Sequence, residues 1–138
     1  MKKIILVAAF LMLSIFQGFS QDRDFDGLWE GVLEKENGEQ YKLTLFIEDN
    51  NVYGVTTDED DDLVKDRQFE VQISKGYGEH LNFFWINKGG VWTETQMFSL
   101  SWSSDSELSV FHTRHVSNKS DEIDGNTDWG YFAKGTLK

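Results

Sequence analysis

From Tyr41 to Glu48 the chain changes character at almost every residue. Tyr41, Leu43, Leu45 and Ile47 fall on one parity, and Lys42, Thr44 and Glu48 on the other. A period of two is the mark of a strand with one face in a core and the other in water. The pattern recurs along the chain, in Trp29-x-Gly31-x-Leu33, Phe69-x-Val71-x-Ile73, Phe98-x-Leu100-x-Trp102 and the run Leu108, Val110, His112, Arg114, Val116. Short polar stretches separate these segments at 36–39 (Asn37-Gly38 at its tip), 48–51, 75–79, 88–90 and 103–107, each with the composition of a turn. The acidic run 58–62 is read as a loop, because five adjacent carboxylates do not share a buried strand. A longer polar loop, 117–128, precedes a last strand from Trp129 to Leu137. Nothing has a helical period. Parallel strands need crossovers of a dozen or more residues, so short turns predict antiparallel, up-and-down order. The expectation is an all-β domain of about eight strands, closed into a barrel that leaves no exposed edge.

The N-terminus carries a different signal. Lys2 and Lys3 precede an apolar stretch from Ile4 to Phe16, and Gly18-Phe19-Ser20 places small residues where a signal peptidase cuts. The reading is a signal peptide over 1–20 and a single domain over 21–138, exported to the periplasm or the cell exterior. The apolar run is shorter than the ~18 residues a membrane span needs. No cysteine is present, so a lipid-anchored lipoprotein is excluded and core packing must hold the fold without disulfides. All five tryptophans fall in the exported part, as suits a core built from few, large side chains.

Charge narrows the partners. The chain carries 13 basic and 24 acidic residues, a formal charge of −11, and loss of Lys2 and Lys3 takes it to 11 − 24 = −13. Such a field repels nucleic acid and anionic membrane surfaces, and no basic patch offsets it. A membrane-spanning barrel is also excluded, since Lys42, Thr44, Glu48, Glu70 and Gln72 would face lipid.

Motifs for chemistry are missing. Without cysteine and without a Gly-x-Ser-x-Gly elbow, no nucleophile is indicated, and the chain is read as non-enzymatic, with no cofactor. Asp22-x-Asp24-x-Asp26-Gly27 opens like a calcium loop, but a glutamate is required at the twelfth position, where Leu33 stands. Asp58-x-Asp60-x-Asp62 fails in the same way, with Phe69 at the twelfth place. His112 and His115, three apart on a strand, point to opposite faces. No metal site is expected.

Gly27-Leu28-Trp29 at the start of the first strand, followed by a meander of this length, resembles the calycin group of lipocalins, fatty-acid-binding proteins and avidins. The resemblance implies a closed barrel with Gly27 and Trp29 in structural roles. It further implies an arginine from a late strand lying across the tryptophan, a place taken here by Arg114, one strand early. The lipocalin Thr-Asp-Tyr motif is absent, and the positions where avidins hold biotin are Gly31 and Lys35, so biotin binding is not implied.

Inward-facing aromatics give the one positive pointer to function. Phe83, Trp85, Phe98 and Trp102, with His112 and Arg114, are the candidate ligand-binding residues: a cavity for a small apolar or aromatic ligand, oriented by the two polar groups. The alternative is a barrel filled by its own side chains, acting on a protein partner through its surface, with Trp129, Tyr131 and the loop 117–128 as the contact edge.

Overall fold

The computed structural model describes residues 23–76, 78–89, 91–119 and 127–138; the predicted signal peptide lies outside them. Eight strands follow one another: β1 (Gly27–Lys35), β2 (Gln40–Glu48), β3 (Asn51–Thr57), β4 (Leu63–Gly76), β5 (Gly78–Gly89), β6 (Trp92–Trp102), β7 (Leu108–Asn118) and β8 (Thr127–Leu137). Each pairs antiparallel with the next, and β1 pairs antiparallel with β8, closing the barrel. The all-β, up-and-down fold expected from the alternation is therefore the fold observed. Among the described residues, no helix is long and apolar enough to cross a membrane.

Local chemistry sets the turns. Asp49 and Asn50 both take left-handed backbone angles, φ 50° and 62°, as the two-residue β2–β3 hairpin needs for its twist. At the β1–β2 hairpin, Gly38 sits at φ 83°, and the Asn37 side chain accepts a hydrogen bond from the Glu39 amide. The acidic run is a closed loop in which the Asp58 carboxylate accepts the amides of Asp60 and Asp62. Several elements run longer than the alternation predicted. β4 begins at Leu63, so the polar segment before Phe69 is strand, and β7 and β8 stay paired out to Asn118 and Thr127, which shortens the loop between them.

Inside the barrel the odd-numbered positions of β1 and β2 meet the even-numbered positions of β6 and β7. Leu33, Leu45, Ile47, Val52, Leu81, Phe83, Leu100, Leu108, Val110 and Leu137 are almost wholly removed from water. Burying a side chain of this size is worth about 1.5–3 kcal/mol, so this ladder stabilises the fold where no disulfide does.

The two ends differ. At the lower end, where β1 begins and β8 finishes, the segment before β1 folds under the barrel. Phe25 stacks on Trp102 at 5.5 Å, and Trp29 meets Trp102 edge-on at 5.4 Å. The Trp29 indole donates to the Phe25 carbonyl at 2.8 Å. Arg23 lies over Trp102 and pairs with Asp105 at 2.6 Å. This end is sealed with carbon. At the upper end β1, β3, β5 and β7 finish and β2, β4, β6 and β8 begin, and there the interior turns polar.

Candidate functional site

The lining of the upper end follows from parity continued past the apolar core. Two residues beyond Leu33 on β1 is Lys35, and two before Leu43 on β2 is Tyr41. Two before Phe69 on β4 is Arg67, and two after Phe83 on β5 is Trp85. Two and four before Phe98 on β6 are Gln96 and Glu94. Beyond Val110 on β7 come His112 and Arg114, and Tyr131 on β8 is paired with Arg114. Each strand turns its last inward positions to this end.

His112 joins the apolar and polar halves. Its ring lies flat on Phe98, centroids 4.0 Å apart and planes 2° apart, and Phe98 in turn stacks on Phe83 at 4.8 Å. The residue is only 3 % exposed. Burial, helped by the positive charge of Arg114, pushes its pKa down to about 4, so the imidazole is neutral at physiological pH. Its Nδ1 is in a short hydrogen bond with the Tyr41 hydroxyl. Burial, reinforced by Tyr131, holds the Tyr41 phenol well above its ordinary pKa, so Tyr41 keeps its proton and is the natural donor. That assigns the one imidazole proton to Nε2, and Nε2 is buried with no hydrogen-bond partner among the described residues. An N–H left so costs about 1–3 kcal/mol.

Next to it stands an ion pair with its acid buried and its base partly exposed. Glu94 is 4 % exposed and lies 2.7 Å from Arg114 Nε, in an approach too bent for a good hydrogen bond at that nitrogen. Gln96 Nε2 donates to the same carboxylate oxygen at 2.6 Å. Burial opposes the Arg114 charge, but Tyr131 and Glu94 outweigh it, and its pKa ends above the ordinary value. Aromatic faces complete the lining. Lys35 Nζ sits 4.3 Å above the Tyr131 ring, Arg67 lies 3.6 Å over Trp85, and Arg114 lies 5.1 Å over Trp129.

Of the six ligand-binding residues predicted from sequence, five line the middle and upper interior: Phe83, Phe98 and His112 in the stack, with Trp85 and Arg114 above it. Trp102 does not join them; it belongs to the seal at the lower end with Phe25 and Trp29. Trp29 is buried there, and Gly27 opens β1 at φ 144°. The arginine expected across Trp29 is not there. Arg114 lies six residues along β7 from Leu108, whose partner on β6 is Trp102, about 20 Å of strand away. The arginine of the lower end is Arg23, and it covers Trp102. Tyr131, assigned to an outer contact edge, is half-buried inside the barrel and packs against the core.

Lys35, Tyr41, Arg67, Glu94 and Gln96 were not singled out by sequence reasoning. Parity would have found most of them, because each continues an alternation already recognised. What hid them is that polar residues at a strand end read as the start of a turn. Compared with protein-family models, curated proteins and solved structures, the chain matches none.

Proposed function

We propose that this protein is a small-ligand-binding barrel, non-enzymatic, that takes an apolar or aromatic ligand at its upper end. The observation that carries the reading is His112 Nε2, a donor buried at the foot of an aromatic and polar lining and given no partner among the described residues. Such donors are retained where something else accepts from them. The half-buried rings of Tyr41, Trp85 and Tyr131 support it, since they pack on the core and keep part of their surface open to solvent. Ligand sites elsewhere have this composition, apolar walls with a few placed polar groups.

The test is tryptophan fluorescence of the exported protein, titrated with 2-naphthylmethanol and with a medium-chain fatty acid. A saturable change is expected, lost in a folded Trp85→Ala variant and kept in Trp102→Ala. A flat titration with both probes defeats the reading.

A second reading, a protein-interaction module, has one observation in its favour. On the outer wall of β5–β8, Ile86, Met97, Phe111 and Phe132 are 44–58 % exposed. Cross-strand pairing sets Phe84, Met97, Thr113 and Phe132 in one row. Contiguous apolar surface on a soluble domain is a common mark of a contact site. A Phe111→Glu, Phe132→Glu double variant that binds the probes unchanged would separate this wall from the upper end.

A further inference from the structure

On β4, Arg67 follows the inward parity of Phe69 and stands next to an irregularity in the sheet. Along β3 and β4 the register runs Tyr53 with Gln68 and Gly54 with Arg67, then jumps to Val55 with Lys65. Asp66 is thus an extra residue, a β-bulge on β4. A bulge re-aims the side chains beside it. Lys65, two residues before Arg67, would share its face on a regular strand, yet its ammonium lies outside, 4.5 Å from the ring of Phe46 and 4.3 Å from that of Tyr53. Arg67 lies inside, its guanidinium carbon 3.6 Å from the centre of the Trp85 ring.

The charges around it do not balance. Lys35, Arg67 and Arg114 are the cations that line the upper interior among the described side chains, and Glu94 is the carboxylate there. Arg114 is matched by Glu94, and Lys35 reaches out to Glu39 at 2.8 Å. Arg67 has no ion pair among the described residues. A guanidinium stacked on an indole keeps its edge N–H groups free, and that fork fits a carboxylate with two parallel hydrogen bonds. This surplus stands inside a chain whose formal charge is −11.

We propose that the ligand is a planar carboxylate, its anion held by Arg67 above Trp85. The inference rests on the ligand-binding reading and adds the chemical class of ligand. Stacking orients the guanidinium and holds it still, so the carboxylate meets a prepared fork. The ring or conjugated body of the ligand then packs against the aromatic walls below.

The test compares 2-naphthoate with the uncharged 2-naphthylmethanol by calorimetric titration of the exported protein, wild type and Arg67→Gln, with Arg67→Lys as a second variant. Wild type is expected to bind the carboxylate at least tenfold more tightly than the alcohol. Arg67→Gln abolishes that preference, and Arg67→Lys restores part of it. Near-ultraviolet circular dichroism checks that each variant is folded. If both probes bind wild type equally, or if Arg67→Gln keeps the preference, the carboxylate assignment is overturned while the ligand-binding reading stands. If neither probe binds, the carboxylate assignment falls, and a flat fatty-acid titration beside it takes the ligand-binding reading with it.

Discussion

His112 shows what a single residue contributes at this site. Its neutral ring is part of the core, and charging it would place an unpaired cation on Phe98 beside Arg114. A folded-state pKa of about 4, against 6.5 for the free side chain, means that the unfolded chain binds the extra proton first as pH falls. Stability from this residue is therefore complete above pH 6.5 and is lost as pH drops toward 4. Between pH 6.5 and 5, before most carboxylates titrate, the loss is about 2 kcal/mol. Urea unfolding at the two pH values is expected to show it in wild type and to show a much flatter response in His112→Phe. Glu94 is the second such residue. Glu94→Gln keeps the shape and leaves Arg114 without its counter-charge. It is expected to cost roughly 1–3 kcal/mol in the same assay, at the low end because Arg114 is partly solvated. The inward position of His112 and Arg114 could be read from the alternation of β7. The Tyr41–His112 bond could not, because it joins residues 71 apart whose meeting depends on how the sheet closes.

Among the elements, the seam between β1 and β8 decides whether a meander becomes a barrel. Strands approach closely there: a Cβ at Gly31 would run into the Thr136 carbonyl oxygen, and one at Gly135 into that of Val32. Gly31→Ala must push the two strands apart, and the expected cost is about 2 kcal/mol or more in urea unfolding. Gly38→Ala meets no atom within 4 Å and suffers only from its φ of 83°, so about 1 kcal/mol is expected there. Equal losses at the two sites would contradict the close approach at the seam. The strands themselves were legible because period two survives wherever one face is apolar. The bulge at Asp66 was not, since an inserted residue in a polar stretch shifts parity without changing composition. That shift turns Lys65 outward and leaves Arg67, whose parity matches Phe69, as the inward cation of β4. Elsewhere the reading erred through length: β4 and β7 run on as strand through polar residues, held by backbone pairing.

At the scale of the molecule, the two ends of the barrel divide the work. The lower end is closed by Phe25, Trp29 and Trp102, with Arg23 laid over Trp102, and contributes stability. At the upper end the interior carries cations, while acidic loops such as 58–62 stand outside. Sequence reasoning anticipated an inward aromatic surface but treated it as one cavity. The division into a sealed and a polar end depends on which end of each strand a residue occupies, and register alone sets that. The five tryptophans report on the division directly. Trp29 and Trp102 mark the lower end, and Trp85, Trp92 and Trp129 the upper. The decisive measurement is a ¹H–¹⁵N spectrum of the indole N–H groups of the protein, recorded while 2-naphthoate is added. Saturable shifts are expected at Trp85 and its neighbours at the upper end, with Trp29 and Trp102 unmoved. Shifts centred on Trp29 and Trp102, or none at any indole, would contradict an account in which the upper end receives the ligand.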